Sequence, residues 1–277
     1  MGKARGEGRG AALLVALLLM CALLGLTGCT ASGKEATGSG TLRVGVRSDV
    51  VGFGYLNEET GKHYGLEIDI AEELAKRLGY ADIEYVDVLP ENRKEMLQDG
   101  KVDCLIACYS VSETRLANFD FSPAYYNDLS IVMVENSSLV GGIEQLKGMT
   151  FGAMAGSNTA PQLVIKLTEL GFTSGEPLAQ TEDKSETRFD TFRLVQIESY
   201  QELSRRLEEG SIDAACMDGS IAEMYLSADR SILDFSIDSQ EYGVATQKDS
   251  ALSKPIADAM QSMLDDGTIT TLTDKWD

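Results

Sequence analysis

The sequence offers few residues that could catalyse a reaction or bind a metal. It contains a single histidine, His63, so a Ser-His-Asp triad would have to use that residue, and a His-rich metal site is excluded. Beyond residue 40 the cysteines are Cys104, Cys108 and Cys216, an odd number that excludes a complete disulfide framework. Cys104 and Cys108 lie on one predicted strand, roughly 13 Å apart at strand rise, too far for a disulfide. We therefore predict unpaired buried cysteines, and no metal, cofactor or catalytic residue.

Anion binding is a chemistry that the sequence can supply. Arg93 follows Pro90 at the start of a predicted helix, where a positive charge opposes the helix dipole and is an unusual choice for stability alone. Ser157 and Thr159 begin another predicted helix directly after Gly156, where free backbone N–H groups and the dipole favour an anion. A guanidinium group can also bind a carboxylate through two parallel hydrogen bonds. These positions are candidates for binding a carboxylate.

The composition indicates a globular protein with a strongly acidic surface. Of 277 residues, 43% are hydrophobic and 25% are charged, which is enough apolar mass for one large domain or two smaller lobes. Lys and Arg number 24 against 44 Asp and Glu, a formal net charge of −20. Such a surface repels phosphate backbones, so we exclude nucleic acid as a partner. A few buried arginines can still make one pocket favourable for an anion.

Strands and helices alternate in two similar halves of the chain. In the first half, apolar patterning predicts strands at 42–47, 83–88 and 102–107, and helices at 66–78 and 90–100. In the second half, it predicts strands at 129–134, 150–154, 192–197 and 212–217, and helices at 157–170 and 200–209. The β-α-β-α-β order favours a parallel sheet with crossover helices. The polar segment 173–189 is interpreted as an exposed insertion.

Segments 97–103 and 207–213 repeat each other at an offset of 110 residues. Each contains Leu, two polar residues, Gly, one polar residue, Val or Ile, and Asp, as expected where a helix ends at Gly and a strand follows. The repetition indicates two equivalent lobes. The same register aligns Cys108 with Asp218, and ligands of open α/β sheets bind beyond the carboxyl ends of the strands. We therefore expect these positions to face a shared cleft.

The first forty residues are predicted to contain an export signal and an anchor. Basic residues precede the apolar run 11–24, which is too short for a comfortable membrane span and is typical of a secretion signal. The run ends in Leu-Thr-Gly-Cys at 26–29, which resembles the bacterial lipoprotein box and would make Cys29 the first mature residue, diacylated through its sulfur. The alternative is a plain signal peptide in which Cys29 is incidental. Residues 29–40 are predicted to form a flexible tether.

A series of short motifs runs in order along the rest of the chain. They are G-L-E-I-D-I at 65–70, G-K-V-D at 100–103, S-V-S-E-T-R at 110–115, F-D-F-S-P at 119–123, Y-Y at 125–126, K-G at 147–148, G-S-N-T at 156–159, I-D-A at 212–214, and the segment 267–276. Each motif alone is weak, but the whole ordered set is specific. In these motifs the chain resembles the bacterial extracellular solute-binding proteins of family 3, the ligand-capturing subunits of polar amino acid ABC importers, and most closely the glutamate and aspartate binders.

The resemblance implies an α/β fold of the periplasmic-binding-protein type. In this fold, two α/β lobes are joined by two crossing strands, the ligand cleft lies between them, and the lobes close about the hinge. The predicted division of this chain is a lipoprotein signal peptide at 1–28, a tether at 29–40, a first lobe at 41–133, a second lobe at 134–237, and a return to the first lobe at 238–277.

The resemblance also implies where an amino acid would bind. Arg115 would bind its α-carboxylate, with help from Ser110 and from the helix start at 157–159, and Asp218 would bind its α-ammonium. Arg93 and Arg47 would favour a side-chain carboxylate. Cys108 departs from the Thr or Gly that is common in the family, and its thiol is a weak donor. The predicted ligand-binding residues are Arg47, Arg93, Cys108, Ser110, Arg115, Ser157, Asn158, Thr159 and Asp218.

The sequence thus predicts a monomeric, lipid-anchored binding protein on the extracytoplasmic face of the cell membrane. It would capture glutamate or aspartate, with glutamine and asparagine left open because Arg can also donate to an amide carbonyl, and deliver it to an ABC transporter permease and its ATPase. We predict no enzymatic activity. Two alternatives remain: a secreted enzyme similar to cyclohexadienyl dehydratase on the same fold, and a ligand-sensing module.

Overall fold

The computed structural model describes residues 40–276. The predicted signal peptide, the lipidation site at Cys29 and the tether lie outside these residues, apart from Gly40. Within 40–276, none of the helices combines the length and apolar character needed to cross a membrane.

Strands and helices alternate along the described chain. The strands are β1 (Thr41–Val46), β2 (Asp49–Val50), β3 (Gly54–Asn57), β4 (Lys62–Tyr64), β5 (Asp82–Asp87), β6 (Cys104–Ile106), β7 (Phe119–Phe121), β8 (Tyr126–Glu135), β9 (Thr150–Met154), β10 (Ala179–Gln180), β11 (Glu186–Arg188), β12 (Arg193–Ile197), β13 (Ala214–Asp218), β14 (Arg230–Tyr242) and β15 (Ala245–Gln247). The helices are α1 (Leu66–Leu78), α2 (Arg93–Gln98), α3 (Glu113–Leu116), α4 (Thr159–Glu169), α5 (Tyr200–Glu208), α6 (Gly219–Ala222), α7 (Ser253–Asp265) and α8 (Thr268–Trp276).

The first lobe is built on a five-stranded sheet in the order β5-β1-β6-β15-β7. Strand β1 is parallel to both β5 and β6, which confirms the predicted β-α-β-α-β unit. Val44 and Val46 of β1 pack in one cluster with Leu74 of α1, whereas Leu105 of β6 packs in another with Leu97 of α2. The parallel strands are therefore covered by a helix on each face, which explains their nearly continuous apolar sequence.

The second lobe is built on a seven-stranded sheet in the order β10-β11-β12-β9-β13-β8-β14. Strand β9 is parallel to β12 and β13, and β8 pairs antiparallel with β13 and β14. Phe151 of β9 is buried with Leu163 of α4. On the other face, a Cβ at Gly152 would lie 2.8 Å from the Leu203 side chain of α5, so the glycine permits close helix–sheet packing.

Two chain segments connect the lobes. One runs from β7 of the first sheet into β8 of the second, and the other returns from β14 to β15. The segments are hydrogen-bonded to each other, since the N–H of Tyr125 donates to the carbonyl of Tyr242 at 2.9 Å. The structure thus has the two α/β lobes and two crossing strands that were predicted. The predicted lobe boundaries at 133/134 and 237/238 fall within β8 and β14.

The repeated segments occupy equivalent places in the two lobes. The Asp103 carboxylate accepts a hydrogen bond from the N–H of Arg43 at 2.9 Å, and the Asp213 carboxylate accepts one from the N–H of Thr150 at 2.8 Å. In return, the N–H of each Asp donates to the carbonyl of the same partner, at 2.8 Å in both lobes. The sequence repeat therefore corresponds to a repeated turn that fastens one strand to its neighbour.

Three local predictions differ from the structure. The segment 173–189 contains the paired strands β10 and β11, which extend the second sheet, so it is only partly an exposed insertion. Helix α2 begins at Arg93 rather than Pro90, because residues 90–92 form a turn. Strands β2, β3 and β4 form a small antiparallel sheet between β1 and α1, where no strand was predicted. Strands of two to four residues are too short to show a period in the sequence.

We expect Gly65→Ala to be strongly destabilising. Gly65 precedes α1 with φ of 131°, and a Cβ there would lie 2.0 Å from the carbonyl oxygen of Phe53. Because the clash is with backbone, the free energy of unfolding should fall by more than about 3 kcal/mol. Gly61→Ala is the matched control, since Gly61 also has positive φ but has open space around it, and it should cost about 1 kcal/mol. Urea denaturation measures both; equal losses would contradict the prediction.

Candidate functional site

The ends of the central strands bring most of the predicted residues to one cleft between the lobes. From the first lobe, Arg47 directly follows β1, Cys108 lies two residues after β6, and Arg93 begins α2. From the second lobe, Asp218 ends β13 and Thr159 begins α4. This is the arrangement expected for a ligand site beyond the carboxyl ends of parallel strands.

Arg47 is buried but its charge is already paired. Its side chain is 1% exposed, and its Nε and Nη2 donate to the two carboxylate oxygens of Asp49 at 2.8 and 2.7 Å. The guanidinium also lies 5.6 Å from the ring centre of Tyr200, a residue of the other lobe. Burial alone would lower the pKa of Arg47, but Tyr200 and Asp49 together raise it. The bidentate edge of this arginine is therefore occupied by the protein.

Arg93 is equally buried and lacks such a partner. Its side chain is 3% exposed, and its Nη1 donates to the carbonyls of Ala107 and Cys108 at 2.5 and 3.2 Å. Its buried Nε has no hydrogen-bond partner within residues 40–276. Burial, and then the charge of Arg47, lowers the pKa of Arg93. The edge formed by Nε and Nη2 is thus free to bind a carboxylate.

Arg115 has a similar arrangement, but its side chain is only half-buried. Its Nη1 donates to the carbonyl of Ser110 at 2.8 Å, and no carboxylate within residues 40–276 forms an ion pair with it. Its guanidinium lies 4.1 Å from the ring centre of Tyr109, and that of Arg93 lies 4.6 Å from the same ring. Burial, and then the charge of Arg93, lowers the pKa of Arg115 to about 10. The two guanidinium groups are therefore held on one aromatic ring with their bidentate edges unpaired.

Asp218 supplies a negative charge to the cleft from the second lobe. It is 7% exposed, and its carboxylate accepts hydrogen bonds from Ser130 at 2.6 Å and Tyr242 at 2.5 Å. The hydroxyl of Thr159 lies 3.5 Å from the same carboxylate. Burial raises the pKa of Asp218, although the hydrogen bonds from Ser130 and Tyr242 partly oppose this. The arrangement suits a carboxylate that receives a further cationic partner.

The start of α4 faces the first lobe. The buried Oγ of Ser157 has no hydrogen-bond partner within residues 40–276. The side-chain amide of Asn158 donates to Oε1 of Gln240 over a long 3.5 Å. Gly156 contacts the first lobe so closely that a Cβ would lie 2.5 Å from the carbonyl oxygen of Pro90. The N-terminal backbone of α4 therefore lies at the cleft, as the sequence predicts.

Cys108 and Ser110 contact neighbouring site residues through their backbone groups. The N–H and carbonyl of Cys108 bond to Glu67 and Arg93, and burial raises the pKa of its thiol. The carbonyl of Ser110 accepts a hydrogen bond from Nη1 of Arg115. The thiol of Cys108 also hydrogen-bonds to Glu67, which opposes the rise that burial causes in the pKa of Glu67. Cys104, Cys108 and Cys216 are buried and unpaired with one another, as predicted.

Glu67 is a site residue that the sequence analysis did not select. Its side chain is fully buried in the first lobe, one residue into α1. Its position in the sequence could have indicated its burial. Glu67 lies three residues before Ile70 and four before Ala71, which places it on the apolar face of an amphipathic helix. A carboxylate on such a face needs hydrogen-bond donors in the core.

Comparisons with known proteins identify the family of this chain. The family model described as bacterial extracellular solute-binding proteins, family 3, matches residues 42–277. The ABC transporter glutamine-binding protein GlnH of Bacillus subtilis is 27% identical over 240 residues, which cover 84% of this chain and 79% of the relative. The arginine-binding extracellular protein ArtP of the same organism is 26% identical over 269 residues, which cover 95% and 96%. Both relatives are described as binding proteins.

The solved structures agree with this result. An ancestral arginine-binding protein, solved with arginine and with glutamine, is 27% identical and has a TM-score of 0.69 in both forms. The match covers 85% of this chain and 97% of each solved chain. The fold is thus shared with solved amino-acid-binding proteins.

Asp218→Asn should reduce the pH dependence of stability. Burial raises the pKa of Asp218 above its ordinary value of 3.8, so the folded state binds this proton more tightly than the unfolded state. The contribution of Asp218 to stability is therefore greatest below pH 3.8 and is lost as the pH rises through the raised pKa. Between pH 4 and 7, the variant should lose less unfolding free energy than the wild type. Urea denaturation across that range measures the difference.

The control is Asp234→Asn, because Asp234 is exposed on β14. It should follow the wild-type pH profile. A profile for Asp218→Asn that runs parallel to the wild type over the whole range would show that Asp218 does not bind its proton more tightly in the folded state.

Proposed function

The chain belongs to the bacterial extracellular solute-binding proteins of family 3, and on that premise we propose that it binds a free polar amino acid and delivers it to the permease of an ABC importer. The observation that carries the proposal is a set of unpaired charges in the cleft. The free bidentate edges of Arg93 and Arg115 lie near the buried carboxylate of Asp218. Burying a zwitterion costs several kcal/mol unless each charge is paired, and this set supplies both countercharges.

Arg115 and the start of α4 are proposed to bind the α-carboxylate. Arg115 has its Nη1 held by a backbone carbonyl, which leaves Nε and Nη2 directed to a second partner. Ser157 adds a buried hydroxyl without a described partner, and the free N–H groups at the start of α4 favour negative charge. Because these groups come from different lobes, one carboxylate would link the lobes.

Asp218 is proposed to bind the α-ammonium. Its two oxygens already accept hydrogen bonds from hydroxyl groups, which orient the carboxylate but leave its charge unneutralised. An ammonium group beside it would favour the ionised form and thereby reverse the effect of burial on its pKa. Binding should therefore be coupled to proton release where Asp218 is protonated in the free protein.

Arg93 is proposed to confer a preference for glutamate or aspartate. Arg47 has its charge matched by Asp49, so the unpaired cation available for a ligand side chain is Arg93. A side-chain carboxylate would meet the free Nε and Nη2 of Arg93 with two hydrogen bonds and a countercharge. The amide of glutamine or asparagine would meet them with one carbonyl oxygen only. An acidic ligand thus satisfies more of this site.

We further propose that the protein acts as a lipid-anchored monomer on the extracytoplasmic face of the cell membrane, with a permease and its ATPase as partners. The support is the lipoprotein-box sequence ending at Cys29 and the polar segment 29–40, which is long enough to act as a tether. Two acyl chains hold a protein at a bilayer far more firmly than one, at roughly 0.8 kcal/mol per buried CH₂ group.

Calorimetric titration with the twenty amino acids tests the ligand and the roles of the arginines. We expect glutamate or aspartate to bind most tightly. Arg115→Ala should weaken every amino acid ligand by about 2 to 4 kcal/mol, because the α-carboxylate is common to all of them. Arg93→Ala should weaken acidic ligands by a similar amount and their amides much less.

The control is Arg188→Ala, since Arg188 is exposed on β11. It should bind as the wild type does. Equal binding of glutamate and glutamine by the wild type would contradict acidic specificity, and unchanged affinity in Arg115→Ala would contradict the carboxylate site. Absence of binding by any polar amino acid would remove the proposed function.

Cys29→Ser should release the protein from the membrane. Without the thiol, no diacylglycerol can be attached, so the protein should move from the membrane fraction to the soluble extracytoplasmic fraction. Cell fractionation and intact-mass spectrometry measure both effects. Cys21→Ser is the matched control within the predicted signal peptide and should stay membrane-bound. A membrane-bound, unmodified Cys29→Ser protein would rule out lipid anchoring through this residue.

A further inference from the structure

Glu67 is an unusual residue for a helix core. It is fully buried, and its Oε1 accepts hydrogen bonds from the N–H of Cys108, at 2.5 Å, and from the hydroxyl of Tyr125. Its Oε2 is buried without a hydrogen-bond partner within residues 40–276. No cation forms an ion pair with it among the salt bridges of the described chain. An apolar side chain of similar volume would avoid the cost of burying this carboxylate, so stability alone does not explain it.

The bond from Cys108 holds a strained piece of backbone. Cys108 has φ of 45°, in the left-handed region that side chains other than glycine rarely adopt. In that conformation, the carbonyls of Ala107 and Cys108 both accept hydrogen bonds from Nη1 of Arg93. Glu67 and Arg93 are therefore both hydrogen-bonded to the turn at 107–108, although they do not bond to each other.

This turn determines which edge of Arg93 is free. Because two carbonyls converge on Nη1, the guanidinium plane is fixed and the Nε–Nη2 edge points away from them. A turn without the Glu67 contact could relax out of the left-handed conformation, and the two carbonyls would then diverge. The orientation of the arginine thus depends on a carboxylate that does not contact it.

Glu67 is also connected to the crossing segments. Tyr125, its hydroxyl donor, gives its backbone N–H to the carbonyl of Tyr242, and the hydroxyl of Tyr242 donates to Asp218. The two buried carboxylates, one in each lobe, are thus joined by two tyrosines where the lobes meet.

We propose that Glu67 is a positioning residue for ligand specificity: it fixes the turn at 107–108 and, through that turn, presents the Nε–Nη2 edge of Arg93 to the side chain of the bound amino acid. The inference rests on the proposed function, in which Arg93 faces the ligand side chain.

The first test is a double-mutant cycle between Glu67 and Arg93. Glu67→Met keeps the length of the side chain but has no acceptor, and it should reduce the ratio of glutamine Kd to glutamate Kd about tenfold, a coupling typical of residues in one network. In an Arg93→Met background, the same change should alter the ratio no further. Glu67→Gln keeps an acceptor for Cys108 and should retain most of the wild-type ratio. A general loss of stability would not change this ratio.

The control is Glu72→Gln, because Glu72 is exposed on the same helix. It should leave the ratio unchanged. Additive effects of Glu67→Met and Arg93→Met on the ratio would overturn the proposal.

The second test needs no ligand. The Nε–Hε resonance of Arg93 in ¹H–¹⁵N spectra, identified by its loss in Arg93→Met, should shift or broaden in Glu67→Met and stay in place in Glu72→Gln. Tyr125→Phe removes one hydrogen-bond donor from Glu67 and should shift the resonance in the same direction. It replaces Glu67→Met in this test if that variant does not fold. An unmoved resonance in both variants would overturn the inference. If the wild type binds no acidic ligand while the resonance responds as expected, the proposed specificity fails and the positioning of Arg93 by Glu67 stands.

Discussion

Two guanidinium groups without carboxylate partners in residues 40–276, the buried Arg93 and the half-buried Arg115, set the main constraint on this cleft. Taking an ion out of water costs several kcal/mol even after relaxation, and carbonyl oxygens at one Nη recover only part of it. Burial accordingly lowers the pKa values of Arg93 and Arg115. A fold keeps such groups only if the rest of the lobe holds them in place. Here both guanidinium groups pack on the ring of Tyr109, and backbone carbonyls accept hydrogen bonds from them. These contacts hold the two arginines in place.

The same constraint explains why the tyrosines lie where the lobes join. A clamshell must let its lobes move while its polar groups remain oriented, and the backbone bond between Tyr125 and Tyr242 ties the two crossing segments at one point. From that point each hydroxyl reaches a buried carboxylate of a different lobe. Rotation about the crossing segments would therefore act on both carboxylates, which gives a physical route from lobe closure to site geometry.

Much of the fold could be predicted from the sequence, because buried strands and amphipathic helices have clear apolar periods and the turn at 97–103 recurs at 207–213. The position of the cleft followed from the ends of those strands. The pairing of Arg47 with Asp49 was readable in principle, since a guanidinium can reach a carboxylate two residues away in the sequence. The contact of Glu67 with Cys108 was not, because it joins residues 41 positions apart through a left-handed turn that a cysteine does not signal.

The acidity of the whole protein does not argue against an acidic ligand. A net charge of −20 repels glutamate at long range, but the Debye length is about 8 Å at physiological ionic strength, so most surface carboxylates are screened from a molecule approaching the cleft. Inside the cleft, the dielectric is lower and the nearest charges dominate. Of the three cleft arginines, Arg47 is neutralised by Asp49, whereas Arg93 and Arg115 have no carboxylate partner within residues 40–276. A ligand with one negative charge would satisfy one of these two guanidiniums and leave the other buried and unpaired, whereas a ligand with two would satisfy both.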